Sequence, residues 1–311
     1  MRIYVSGSLA YDRIMSFPGR FADHILPDKL HILNVCFLVD GLAEKFGGTA
    51  GNIAYNLVLL GKSPLILSAA GKDFGAYETH LRKLGLSLEG IRHVDEEFTA
   101  GAYITTDRDD NQITGFNPGA MRQPCTYEIG HSQTGGAMAI IGPGNLQDMT
   151  TLPERFNALN IPYIFDPGQQ IPALTGDQLR KCIAGAHIFI SNDYEMEMVC
   201  KSTGLTKAEV TDLPNICITT LGEKGSVCRN GQGLQEIDAV PVKEVKDPTG
   251  AGDAYRAGLL CGLVDGMELA AACRMGARAA AFCVEQHGTQ EHRFTLDEFW
   301  SRYPLHLGDP R

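Results

Sequence analysis

The chain has 311 residues, 44% of them hydrophobic and 21% charged, with a formal net charge of -10. That length accommodates one large α/β domain with an insertion, or two smaller domains, around a sizeable core. The acidic balance argues against a nucleic-acid surface, which needs clustered Lys and Arg, but not against a small phosphorylated ligand.

The opening MRIYVSGSLAYD reaches Asp12 quickly and does not read as a signal peptide. Short apolar runs with β-branched residues read as buried strands at 3–8, 64–70, 137–142, 162–166, 187–191 and 216–220. Helical patterns fall between many of them, at 52–61, 75–85, 175–185 and 193–204, several ending in Gly. The alternation predicts βαβ units, a mainly parallel sheet and helices on both faces. Residues 13–46 and 95–120 break that rhythm. The first shows no clear helix, and the second reads as strands joined by a polar turn at 107–111. Together they predict a small protruding β-sheet, either a lid or a surface hairpin pair. The C-terminal third reads as helices at 252–264, 267–286 and 295–303, the last opened by the capping-box pattern TLDE. No run of about 18 apolar residues marks a membrane span. The nine cysteines lack CxxC spacing, which disfavours a zinc site and suits a reducing cytosol, so a cytoplasmic location is expected.

The stretch DPTGAGDAYRAG (247–258) carries the strongest chemical signal. Asp247 before Pro248 gives an extended entry. Gly250, Ala251 and Gly252 then leave backbone N–H groups uncovered at a helix start, where the dipole favours an anion. Asp253 follows at once. It is either a helix cap or a base that takes a proton from a hydroxyl attacking a phosphoryl group held by those amides. No GxxxxGK[ST] occurs and no GxGxxG opens a βαβ unit, so P-loop and dinucleotide fingerprints are both missing. GGTAGN (47–52) places Asn52 at a helix start, either as a cap or as a partner for ligand hydroxyls. NDYE (192–195) reads as a capping box between Asn192 and Glu195 that also sits at a strand end, where open α/β sheets bind ligands. TLGEKG (220–225) is a weak phosphate-loop signal alone.

With GGTAGN, NDYE, TLGEKG and DPTGAGD in this order, the chain resembles the PfkB family of carbohydrate and nucleoside kinases along essentially its whole length. The resemblance implies a ribokinase-like three-layer α/β/α sandwich. It implies a single kinase domain over 1–311, with lid segments at about 13–46 and 95–120. It implies Asp253 as general base, with Gly250, Ala251 and Gly252 as the anion hole for the transferred phosphoryl group. Asp12, Gly48 and Asn52 would grip the sugar hydroxyls. Asn192 and Glu195 would order Mg²⁺, Glu195 through water. Thr220, Gly222 and Gly225 would line the ATP site. Asp247 and Thr249 would flank a monovalent cation, K⁺ being expected, and HGTQ (287–290) would close over adenine beside it. Arg256 departs from the family pattern, which carries an apolar residue there. One helical turn beyond Asp253, it is expected to leave that residue untouched and to lean toward solvent or phosphate.

The 13–46 segment and NQITGFNPGAM (111–121) look closer to the adenosine and nucleoside kinase branch. Phe17 and Phe116 are either aromatic walls for a base or packing within the small sheet. The reading is therefore ATP-dependent phosphorylation of a nucleoside, adenosine first, at the ribose 5′-hydroxyl. The alternatives are a ribokinase- or fructokinase-type sugar kinase and a catalytically silent ligand-binding protein. Neither a nucleic acid nor a membrane is expected as partner, and edge pairing of the protruding sheet leaves a homodimer open.

Overall fold

The computed structural model describes residues 1–130 and 135–302. In chain order the strands are β1 (Ile3–Ser6), β2 (Ala10–Ser16), β3 (Asp40–Gly47), β4 (Leu65–Gly71), β5 (Ile91–Val94), β6 (Ala100–Thr106) and β7 (Gln112–Asn117). They continue as β8 (Met138–Ile141), β9 (Tyr163–Phe165), β10 (Ile188–Asn192), β11 (Ile216–Thr220), β12 (Ser226–Asn230) and β13 (Gly233–Ile237). The helices are α1 (Phe21–His24), α2 (Thr49–Leu59), α3 (Gly75–Lys83), α4 (Leu146–Ala158) and α5 (Gly176–Ala184). They continue as α6 (Asp193–Thr203), α7 (Lys207–Thr211), α8 (Ala251–Val264), α9 (Leu269–Val284) and α10 (Leu296–Ser301).

Nine strands make the main sheet, in the order β13-β12-β11-β10-β9-β8-β1-β4-β5. Every pairing from β5 to β11 is parallel; β12 and β13 add an antiparallel edge. Parallel strands covered on both faces must be apolar on both, and these are. Ile3 and Val5 of β1 join one buried cluster with residues of α2, α8 and α9. Tyr4, between them, joins the opposite cluster with residues of α4, α5 and α6. Ile140 against Ala139 and Ile141 repeats the alternation on β8, the period-2 signature of a strand between two helix layers. The ribokinase-like α/β/α sandwich expected from the sequence is the fold observed.

The small sheet has the order β3-β2-β6-β7. β2 pairs antiparallel with β3 but parallel with β6, and β6 pairs antiparallel with β7, so this sheet is mixed. It starts at Ala10, earlier than the pattern suggested, and the 13–46 segment also contains α1 and a 3₁₀ stretch at Pro27–Ile32. The predicted polar turn is held by Asp107, which accepts backbone N–H groups of Asp109, Asn111 and Phe21. The TLDE capping box forms between Thr295 and Glu298; residue 303 of the predicted last helix lies outside the described residues. Strand β5, helices α4 and α7, and the β12–β13 hairpin escape the sequence reading. Among the described residues no helix is long and apolar enough to cross a membrane.

Candidate active site

The site grows from the N-terminus of α8. Asp247 ties two loops together: its Oδ1 accepts the Thr249 N–H at 2.9 Å and its Oδ2 accepts the Gly288 N–H at 2.9 Å. Gly250 then caps α8 at φ 82°, the left-handed region that glycine alone enters without strain. A Cβ there would also meet Thr289 Cγ2 at 2.9 Å. The Ala251 N–H turns back onto Pro248 O at 3.2 Å.

Asp253 is therefore not the cap. It is the third residue of the helix, and its Oδ2 accepts Asn52 Nδ2 at 2.8 Å. Among the described residues Oδ1 makes no hydrogen bond. Burial pushes the Asp253 carboxyl up to about 6, opposed by Asn52 and Arg256 and reinforced by Asp166 and Asp12. Desolvation disfavours the charged form, and the result is a carboxylate whose proton affinity approaches neutrality, as a general base requires.

Asn52 is held in turn. Gln290 Nε2 donates to Asn52 Oδ1 at 3.0 Å and to the Tyr77 hydroxyl at 2.8 Å, and that hydroxyl donates to Gly47 O at 2.8 Å. Gln290 Oε1 meets His80 Nε2 at 3.0 Å. The oxygen only accepts, so Nε2 of His80 carries the proton. The Gln290 network thus fixes which end of the Asn52 amide faces Asp253. Tyr77 and His80 were not among the residues expected at the site; Gln290 was expected there only as part of the 287–290 loop, not as a partner of Asn52. Tyr77 and His80 lie three apart on α3, a spacing that signals a shared face and nothing more.

Asp12 joins the same corner. It sits on β2 opposite Lys45 of β3, and its Oδ2 lies where a Cβ on Gly47 would fall, 2.5 Å away. Burial, then Asp247, raises its carboxyl above the usual range. Gly48 caps α2 and packs against the backbone of Ser8 and Ala10. Asp12, Gly48, Asn52 and Asp253 are thus brought together as expected. The 287–290 loop lies on their side: Lys45 Nζ donates to His287 O at 3.2 Å and Thr289 Oγ1 to Phe46 O at 3.1 Å.

The second group of motif residues meets at the C-terminal ends of β10 and β11. The parallel register sets Asn192 opposite Thr220. Asn192 and Glu195 form the full capping box of α6: Oδ1 of Asn192 accepts Glu195 N–H at 2.7 Å, and Oε2 of Glu195 accepts Asn192 N–H at 2.8 Å. Burial, then Asp166, raises the Glu195 carboxyl. Gly222 opens a 3₁₀ turn, and Gly225 closes it where a Cβ would strike Ile237 O of β13 at 2.0 Å. Ser226 Oγ lies 2.8 Å from the Tyr255 hydroxyl, linking this loop to α8 two residues beyond Asp253. Among the described residues no cluster of three His, Cys, Asp or Glu side chains could hold a metal ion alone. Glu195, raised beside Asp166, is the carboxylate here that could help hold a divalent cation, which would lessen the repulsion between the two.

The two aromatic residues part company. Phe17 is buried among Phe21, Phe37 and His24, with ring centroids at 5.7, 4.8 and 5.1 Å. Phe116 is exposed on β7 and lines a cavity of about 480 Å³ with Met121, Asn145, Leu146 and Gln170. Arg256 departs from its expectation in part. It does not lean toward solvent but is buried, with Nη2 donating to Asp166 Oδ1 at 2.9 Å, and its charge reaches Asp253, which it was expected to leave untouched.

A three-layer α/β sandwich with a carboxylate of raised proton affinity beside bare helix-start amides defines a phosphotransferase with an alcohol group as acceptor. The family profile described as pfkB family carbohydrate kinase matches residues 22–295. The chain belongs to that family. It is 32% identical over 306 residues to a nucleoside kinase of Methanothermobacter thermautotrophicus, covering 96% of this chain and 98% of the relative. It is 31% identical over 278 residues to one of Methanocaldococcus jannaschii, covering 88% and 90%. The solved nucleoside kinase of Burkholderia thailandensis in complex with inosine superposes with a TM-score of 0.83 at 39% identity, covering 96% of each chain. The same protein in complex with ADP-inosine gives 0.79 at 40% identity, covering 96% of this chain and 93% of that one.

Proposed function

We propose that the chain is a nucleoside kinase that transfers the γ-phosphoryl group of ATP to the ribose 5′-hydroxyl, adenosine being the first acceptor to try. The observation that carries the reading is Asp253, held by Asn52 through one carboxylate oxygen and raised to about 6 by burial. The acceptor O–H gives its proton to Asp253 Oδ1 as its oxygen forms the new bond to Pγ. The bond from Pγ to the bridging oxygen breaks, and ADP leaves with that electron pair. The amides at Gly250 and Gly252 meet the charge that develops on the phosphoryl oxygens. Asp12 and Asn52 take the ribose hydroxyls. Thr220, Gly222 and Gly225 take the nucleotide. Mg²⁺, when bound, neutralises phosphate charge near Glu195. Asp247 and Thr249 are the proposed flank of a monovalent cation, K⁺ first. The chain acts as one kinase unit, with the β3-β2-β6-β7 sheet as its lid. Closing that lid excludes water from the transfer. Phe116 in the 480 Å³ cavity is the aromatic face offered to the base; Phe17, covered by other rings, braces the lid.

The test is ATP consumption with Mg²⁺ and K⁺ against adenosine, guanosine, inosine, cytidine, ribose, fructose and fructose 6-phosphate. Turnover with nucleosides is expected. Turnover with ribose or a hexose alone keeps the role of Asp253 but overturns the acceptor class.

A further inference from the structure

Arg256 and Asp166 form an ion pair buried under the site, their side chains 8% and 3% exposed. Nη2 of the guanidinium donates to Asp166 Oδ1 at 2.9 Å, while Nε lies against Oδ2 as an ion pair without hydrogen-bond geometry, so the planar group spans both carboxylate oxygens. Asp166 follows β9 at the C-terminal edge of the main sheet, where ligands bind in open α/β sheets. The remaining nitrogen faces the motif itself: a Cβ on Gly252 would fall 2.7 Å from Arg256 Nη1. Gly252 is therefore small for two reasons, to admit an anion above and the guanidinium below. Asp253 and Glu195 both feel this cation. A buried charge pair is a poor source of stability compared with apolar packing, so its presence here calls for another purpose.

We propose that Arg256, clamped by Asp166, is a positioning residue for phosphoryl transfer: it seats the Gly250–Gly252 turn and places a fixed positive charge beneath it. The inference rests on the kinase reading above. The groups that face Asp253 are Arg256 on its own helix, Asp166 beyond β9, Asp12 on β2, Tyr77 on α3 and Cys283 on α9, with the neutral amide of Asn52 in contact. Of these only Arg256 is cationic, and it holds the Asp253 carboxyl down where Asp166 and Asp12 push it up.

The experiment measures kcat and KM from pH 5 to 9, with melting temperature, for wild type, Arg256→Met, Arg256→Lys, Asp166→Asn and the double variant Arg256→Met/Asp166→Asn. Losing one preorganised charge of this kind costs about 100-fold in kcat, and Arg256→Met is expected to show that with nucleoside KM nearly constant. The acid limb of kcat is expected to move to higher pH in Arg256→Met and to lower pH in Asp166→Asn. Arg256→Lys should keep the wild-type limb while recovering only part of the rate. The double variant, which leaves no unpaired buried charge, should regain melting temperature but not kcat. The proposal is overturned if the limb stays in place in both single variants, or if kcat returns with the melting temperature in the double variant. A wild type inactive on every nucleoside removes the nucleoside acceptor instead, and an active Asp253→Asn removes the base.

Discussion

The corner around Asp253 and the small β3-β2-β6-β7 sheet are built on opposite plans. At Asp253 the polar groups are tied to one another. Residues 47–52, 77–80, 247–253 and 288–290 converge in one hydrogen-bonded set, buried at Asn52, Tyr77 and Gln290 and half-buried at Asp247 and Asp253. The small sheet leaves Leu42, Tyr103, Ile113 and Phe116 exposed. Its polar ties to the core gather at one end of β2 and β3, at Tyr11, Arg13, Lys45, Phe46 and Gly47. Groups that move protons and phosphoryl charge gain from being held before substrate arrives. Groups that shape themselves to a base and shut out water gain from being free to move. The fixed corner is expected to govern kcat, and the open sheet KM and acceptor choice.

The largest effect expected is from Asp253→Asn. It should cost about a thousandfold or more in kcat, the upper range for loss of general base catalysis, while nucleoside affinity by calorimetry changes little. The same change sharpens the contrast through stability. The Asp253 carboxyl is raised from 3.8 to about 6, so folding favours its protonated form. That stability is fully present below the unfolded value and lost as pH rises through about 6. At pH 7.5 wild type carries a penalty on the order of 3 kcal/mol, because each tenfold change in proton affinity between the unfolded and folded chain is worth about 1.4 kcal/mol. Asp253→Asn should therefore melt higher than wild type at pH 7.5 and show little gain at pH 5. Equal melting temperatures at both pH values would break the claim of a strained, preorganised base.

Next comes Gly250→Ala. Its left-handed backbone and the Thr289 contact predict a loss of about 1–3 kcal/mol, together with a fall in kcat, read by thermal melting and initial rates. Wild-type activity itself should fall as pH drops through about 6, where Asp253 takes up its proton. Smaller again is Phe116→Ala. Loss of one aromatic stacking face predicts a rise in nucleoside KM worth about 1 kcal/mol, with kcat nearly kept. Phe17→Ala should do the reverse, lowering melting temperature by cavity formation without a selective KM effect. If Phe17→Ala raises KM and Phe116→Ala does not, the division between bracing and binding fails.

The sequence carried the α/β alternation because strand and helix periods are local, and the small sheet because its two segments interrupt them. The glycine motifs were legible because bare backbone at a helix start has few other uses. What stayed hidden depends on pairing across the chain. Nothing near Arg256 marks Asp166, 90 residues earlier, as its partner. Gln290 looks like any loop amide until folding sets it against Asn52. Helix α4 was missed because Pro153 sits inside it and reads as a breaker. The β12–β13 hairpin had a visible signal in Asn230-Gly231, overshadowed by the glycines of TLGEKG. NDYE shows both of its readings at once, since the capping box is formed and its carboxylate still lies beside Asp166.

The most direct test of the account is rapid-quench phosphoryl transfer from ATP to a bound nucleoside, wild type against Asp253→Asn, with nucleoside binding measured on both proteins. The account predicts transfer in wild type and loss of about a thousandfold in the variant at nearly equal affinity. Transfer within tenfold of wild type, with binding intact, would contradict it.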